Sequence, residues 1–157
     1  MAILTVSEVF KFAIRVEENG AAFYKRFADR FEDPASKELF HFLVSEEEAH
    51  RESFESMLKD LPQDTTASGY PDEYADYIQA YADRLIFTGP ALEKELSRVK
   101  NVKEACEFGI RRELDSILYY QEIKTFVPEQ ERARIDDIIA EERRHFMKLA
   151  EMKRELQ

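Results

Sequence analysis

Two segments of this chain carry the same unusual stripe. Phe40, Leu43, Glu47, His50, Phe54, Met57 and Leu61 recur at steps of three and four residues, and so do Ile135, Ile138, Glu142, His145, Leu149, Met152 and Leu156. That spacing is the inward face of an α-helix. Each stripe is apolar except for one Glu and one His three positions apart, which lie side by side over one helical turn. A carboxylate buried without a partner is costly, so a chain built on these stripes must bring something that compensates them.

The rest of the sequence reads as helices. Among 157 residues there are only 4 Gly and 5 Pro, and 36% are charged, which favours helix over sheet. The length fits one domain over 1–157 with a proper core. A first helix is expected from the capping box Thr5-Val-Ser-Glu8, with the inward stripe Phe10, Ala13, Glu17, Gly20, Tyr24, Phe27, Phe31. Asp33-Pro34 reads as N-cap and first residue of a second helix that runs to about Leu61 and stops before Pro62. A turn this short makes the two helices antiparallel.

Residues 62–100 change character: Asp-Thr-Thr-Ala-Ser-Gly is loop-like, Pro71 opens a tyrosine-rich segment (Tyr70, Tyr74, Tyr77, Tyr81) ending near Phe87, and Ala91–Val99 forms a further short helix. At roughly 3.3 Å per extended residue such a stretch easily crosses the length of a bundle. A second capping box, Asn101-Val-Lys-Glu104, opens a third long helix with the stripe Cys106, Gly109, Glu113, Ser116, Tyr120, Ile123, Val127, which Pro128 ends. The fourth carries the second Glu/His pair. The third helix repeats the first at an offset of 96 residues and the fourth repeats the second at 95. The pair 101–156 therefore duplicates the pair 5–61, and the fold class is all-α: a four-helix bundle with pseudo-twofold symmetry and a long helical crossover between helices two and three.

Bringing the stripes together places Glu17, Glu47, His50, Glu113, Glu142 and His145 at one level of the core. Four carboxylates there would repel or take up protons. Two divalent cations balance four carboxylates, with each His a neutral ligand, so charge points to a dinuclear metal site. Carboxylate oxygen with imidazole nitrogen suits iron or manganese, and zinc also accepts such ligands. Ala13, Gly20, Gly109 and Ser116 leave room beside the carboxylates. Tyr24 and Tyr120, seven residues beyond Glu17 and Glu113, either pack in the core or hydrogen-bond a ligand carboxylate.

Several features read more simply. His41 stands nine residues before His50, about 13.5 Å away along the axis on the opposite helix face, and is expected to be a surface or structural histidine. Glu18, Glu46, Glu48, Glu52 and Glu141 are expected to be solvated flank. Cys106 reads as a small core residue, and as the single cysteine it rules out both a disulfide within the chain and the paired CxxC knuckles of a rubredoxin-type or zinc-ribbon site. A net charge of −10 argues against nucleic acid as a partner. No apolar run spans a bilayer, so no membrane partner is expected, and the N-terminus lacks the pattern of a secretory signal, so the expected location is the cytoplasm.

The paired Glu-x-x-His motifs, each with a Glu on the preceding helix, resemble the ferritin-like di-iron carboxylate proteins. More narrowly, Glu17-Glu-Asn-Gly20-Ala-Ala-Phe23-Tyr24, Glu47-Glu-Ala-His50 and Glu113-Leu-Asp-Ser116-Ile-Leu-Tyr119-Tyr120 resemble the di-iron domain of rubrerythrins. The resemblance implies a ferritin-like bundle, two iron ions, reaction with hydrogen peroxide or oxygen, and a homodimer. With a single cysteine the rubredoxin module of rubrerythrins proper is not expected, and electrons are expected from an external donor such as a rubredoxin-like protein. Ser116 stands where rubrerythrins place an additional Glu, which makes the ligand set more symmetric and closer to bacterioferritin-type centres. The expected function is a di-iron oxidoreductase; a ferroxidase or iron-handling protein, and a metal-binding protein without turnover, are the alternatives.

Overall fold

The structure, a computed structural model, describes residues 4–62 and 72–156. The loop-like Asp64–Gly69 segment, Tyr70 and Pro71 lie outside the described residues. Among the described residues six helices are formed: α1 (Val6–Arg30), α2 (Pro34–Asp60), α3 (Asp72–Leu85), α4 (Gly89–Ser97), α5 (Val102–Ile123) and α6 (Glu129–Glu155). The long helices α1, α2, α5 and α6 make the bundle, and α3 and α4 make the crossover. Within the bundle α1 packs on α2 and α5 on α6, with α1 facing α5 and α2 facing α6 across the seam between the halves.

Local chemistry sets most of the boundaries. At the start of α1 the Thr5 hydroxyl accepts from the Glu8 N–H at 3.1 Å while the Glu8 carboxylate accepts from the Thr5 N–H at 2.8 Å, the full reciprocal cap. Asp33 caps α2 by accepting from the Ser36 N–H at 3.0 Å, and Pro34 follows as the first helical residue. The expected box at α5 is only half made. Asn101 accepts from the Glu104 N–H at 2.9 Å, but the Glu104 carboxylate takes the Lys100 N–H at 2.6 Å instead of closing back on Asn101. Helix α5 also stops short of Pro128, at Ile123. There the chain tightens into a turn in which the Phe126 N–H donates to the Ile123 carbonyl at 2.9 Å, so Phe126 and Val127 are still buried without being helical. The crossover helices are likewise displaced by two residues from their expected ends, Phe87 and Ala91–Val99.

The core is in two parts. One cluster gathers Val6 to Val16 of α1, Phe54 and Met57 of α2, the end of α5 and Ile135 to Ile139 of α6. The other gathers Phe23 to Ala28, Phe40, Leu43, Ala105, Cys106 and Leu149. Between them lies a polar layer. Cys106 sits in the second cluster as a core residue, and burial pushes its thiol up to about 11. Of the four stripes, only the ends leave the core: Phe31, Leu61 and Met152 are half-buried, and Leu156 is 49% exposed.

The crossover is fastened to one face, that of α1 and α5. The Asn19 amide donates to the Phe87 carbonyl and accepts from the Phe87 N–H at 3.2 Å. Tyr81 stacks on Tyr119 with centroids 5.8 Å apart and donates to the Asp115 carbonyl at 3.0 Å. Tyr74 stacks on Phe126, while Tyr77 faces outward. Among the described residues no helix is long and apolar enough to cross a membrane.

Asn19→Leu strands both backbone groups of Phe87, and the expected loss is about 1–3 kcal/mol of unfolding free energy. Urea denaturation measures it; an unchanged midpoint would show that Phe87 finds water instead.

Candidate metal centre

The polar layer contains the six residues singled out by the stripes. Glu17 comes from α1, Glu47 and His50 from α2, Glu113 from α5, and Glu142 and His145 from α6; none is more than 5% exposed. The helical period places them there, because each stands midway along an otherwise apolar stripe and two turns of hydrophobic contacts above and below hold it in register. They form two overlapping donor sets. Glu17, Glu47, His50 and Glu142 offer one atom each within 4.8 Å of one another, and so do Glu47, Glu113, Glu142 and His145. Glu47 and Glu142 belong to both.

The two imidazoles lie on the α2/α6 side, stacked with centroids 5.5 Å apart. Both present Nδ1 inward: His50 Nδ1 is 2.7 Å from Glu142 Oε1 and 3.6 Å from Glu17 Oε2, and His145 Nδ1 is 3.7 Å from Glu113 Oε2 and 3.8 Å from Glu142 Oε2. Their outer nitrogens are held by acids that the sequence assigned to solvated flank. His50 Nε2 meets Glu141 Oε2 at 2.6 Å and His145 Nε2 meets Glu46 Oε2 at 3.3 Å. Each acid immediately precedes the Glu of its own Glu-x-x-His, and one step of about 100° around the helix carries it to the seam, where it reaches the histidine of the other half. A carboxylate on the outer nitrogen fixes the ring and leaves the inner lone pair for a metal. The signal was present in the sequence, in the repeat of Glu46 as Glu141 at the same offset of 95. Glu18, Glu48, Glu52 and His41 are exposed, as expected.

On the α1/α5 side the tyrosines act across the seam as well. Tyr24 donates to Glu113 Oε1 at 2.6 Å, and Tyr120 donates to Glu17 Oε1. Burial, and then the adjacent carboxylates, push both phenols well above their usual range, so they serve as donors. Close packing here depends on small residues. A Cβ on Gly109 would lie 2.9 Å from Leu149 Cδ1 and 3.2 Å from Tyr24 Cε1, and one on Gly20 would lie 3.0 Å from Glu47 Oε2.

Protons and hydrogen bonds share the charge of the layer unevenly. Burial, followed by the charges of Glu17 and Glu142, pushes Glu47 well up. Burial and Glu142 do the same to Glu113. Glu17 is lowered: burial would raise it, but the Glu47 carboxyl, His50 and Tyr120 outweigh that. Burial alone would lower the His50 imidazole, yet the close carboxylates of Glu17 and Glu142 push it up to about 12.

A family model described as Rubrerythrin matches residues 8–153. The chain belongs to the rubrerythrin family. A solved structure from Thermotoga maritima, described as a ferritin-like diiron-carboxylate protein, is 29% identical, and the alignment covers 100% of this chain and 99% of that one with a TM-score of 0.71. No curated protein matches the sequence. The bundle is thus of the ferritin-like kind, as the resemblance of the motifs implied.

Two measurements probe the electrostatics of this rubrerythrin-family layer. Groups whose pKa is raised hold their protons to higher pH, and a metal must displace those protons to bind. Divalent metal binding is therefore expected to release protons, chiefly from Glu47, Glu113 and His50, and to tighten as pH rises. Calorimetry in buffers of different ionisation enthalpy reads the protons directly, and pH-independent binding would mean that the carboxyls are already ionised. Separately, Glu46→Ala and Glu141→Ala are each expected to weaken metal affinity about 10–100-fold with little change in folding, measured by competition with a chelating dye; unaltered affinity would return both acids to solvated flank.

Proposed function

We propose that this protein is a di-iron oxidoreductase that reduces hydrogen peroxide, or oxygen, with electrons from a separate donor. One observation carries the reading: the buried inner atoms Glu17 Oε2, His50 Nδ1, Glu113 Oε2, both Glu142 oxygens and His145 Nδ1 make no well-aligned hydrogen bond among the described residues, although some, such as His50 Nδ1 and Glu142 Oε1 at 2.7 Å, lie close together. Orphaned polar atoms at full burial are rare and costly, and here they converge from four helices on one place. The donor set fits two divalent ions. Glu17 and His50 would hold one, Glu113 and His145 the other, and Glu47 and Glu142 would be shared. Oxygen and imidazole nitrogen suit iron or manganese, with zinc also able to bind. Membership of the rubrerythrin family and the diiron-carboxylate description of the Thermotoga structure favour iron.

When bound, two ferrous ions supply Lewis acidity and two electrons, with which hydrogen peroxide and two protons become two waters. The chain's own residues set the conditions for that reaction. The apolar clusters above and below exclude bulk water and keep the local dielectric low, which strengthens every charge interaction in the layer. Tyr24 and Tyr120 stay protonated, donate hydrogen bonds to Glu113 and Glu17 and orient those carboxylates. Glu46 and Glu141 hold the outer histidine protons at the partly exposed α2/α6 seam, where they connect the buried layer with solvent. The external donor returns two electrons after each turnover.

A second reading, ferroxidase or iron handling, is favoured by the same seam, because half-exposed carboxylates at the two histidines also suit a cation in transit. Rapid mixing separates the two. The anaerobic diferrous protein mixed with hydrogen peroxide is expected to oxidise at least about 100-fold faster than free ferrous ion, a modest share of the acceleration enzymes reach, and to stop after the two bound irons unless a reductant is added. Oxidation at the rate of free iron sinks the oxidoreductase reading. Continued oxidation of added ferrous ion without reductant identifies iron as the substrate.

A further inference from the structure

One buried charge takes no part in the site as described. Arg112, next to Glu113 in α5, is 7% exposed, and among the described residues no other arginine or lysine is buried. Its guanidinium donates to the carbonyls of Leu85 and, at 3.1 Å, of Val16, and lies over the Phe23 ring 5.4 Å from the centroid. Every one of those partners is neutral. The Nε has no hydrogen-bond partner, and no carboxylate pairs with the group among the described residues. A buried cation without an anion is destabilising, and its equivalent in the first half, 96 residues earlier, is the apolar Val16.

The charge stands against the polar layer. The point that a Cβ on Gly20 would occupy is 3.0 Å from Glu47 Oε2 and 3.6 Å from Arg112 Nη2. Four carboxylates and two divalent ions sum to zero with neutral imidazoles; Glu46 and Glu141 add negative charge only at the half-exposed α2/α6 seam, whereas Arg112 adds its positive charge inside the core on the α1/α5 side. On the two-metal reading above, we infer that Arg112 is a positioning residue whose charge makes the centre select a small anion, of the hydroperoxide or azide class, as its exogenous ligand. It acts through the field it adds on the Glu47 side and touches neither metal nor anion. A unit charge acting over about 8 Å at an effective dielectric of about 20 changes an anion's affinity roughly thirtyfold, and somewhat less where water enters.

Cobalt(II) tests this, because it is divalent and its visible spectrum reports both loading and anion coordination. Titration of the whole chain is expected to saturate at two cobalt ions; fewer overturns the two-metal reading and this inference with it. Azide is then added to the dicobalt protein. Wild type is expected to bind it, Arg112→Met to bind it about tenfold to thirtyfold more weakly, and Arg112→Lys, which keeps the charge, to stay within about threefold of wild type. Arg112→Gln, which retains an N–H donor for the Val16 carbonyl, replaces Arg112→Met should that variant not fold. With two cobalt ions bound, a neutral variant that takes azide as tightly as wild type, or a wild type that takes none, overturns the role of Arg112 alone.

Discussion

Four carboxylates in one buried layer are the constraint on which this structure turns. At 4 Å and an effective dielectric of about 20, two like charges repel by about 4 kcal/mol, while a domain of ordinary stability has roughly 5–15 kcal/mol in all. The layer therefore cannot be fully ionised without cations, however well the rest of the bundle packs. Its charge is eased by the raised pKa of Glu47 and Glu113, by hydrogen bonds from two phenols, and by the histidines. The two apolar clusters are what make the arrangement persist: long helices anchored by aromatic and aliphatic contacts at both ends hold the acids together against their repulsion. Metal binding would replace a stored cost by an attraction, so fold and site are coupled through the same residues.

Duplication supplies the symmetry of the layer, and the places where the halves differ show what the second copy altered. Glu17 and Glu113, Glu47 and Glu142, His50 and His145, Tyr24 and Tyr120, and Glu46 and Glu141 exchange under the pseudo-twofold. Ala13 exchanges with Gly109 and Gly20 with Ser116, so small residues are kept at both positions although their identities are not. Val16 and Arg112, beside the layer, differ in kind. The crossover accounts for part of it, since a connection between two halves can lie on only one face. Here it covers α1 and α5, where the Arg112 guanidinium takes the carbonyl of Leu85 at the end of α3.

The helical period made the bundle and its six inward donors legible, because a polar residue inside an apolar stripe is conspicuous and a repeat of it more so. The same reasoning that found Glu47 hid Glu46. An acid beside a ligand reads as solvated when helix faces are assigned one at a time, and its function appears only when a second helix brings His145 to the seam. Arg112 was hidden in the same way. The end of α5 at Ile123 was illegible for another reason: Pro128 marks the farthest point a helix can reach, whereas the turn through Phe126 is set by tertiary burial of Phe126 and Val127. The half-made box at Asn101 reflects a local competition, in which the Lys100 N–H takes the Glu104 carboxylate in place of the N-cap's own.

The contacts around the centre also explain why one register of the two halves is selected. Each donor set takes three residues from its own half and one, Glu142 or Glu47, from the other. Each outer histidine nitrogen is met by an acid from the opposite half, and each phenol bonds a carboxylate of the opposite half, Tyr24 to Glu113 and Tyr120 to Glu17. Sliding α5 and α6 by one turn, about 5.4 Å, against α1 and α2 would break all of these at once and leave every member buried and unpartnered. Apolar stripes tolerate such a slip, since one aliphatic layer packs much like the next. The polar layer does not, and so the residues that cost the bundle stability are also those that give it a single alignment.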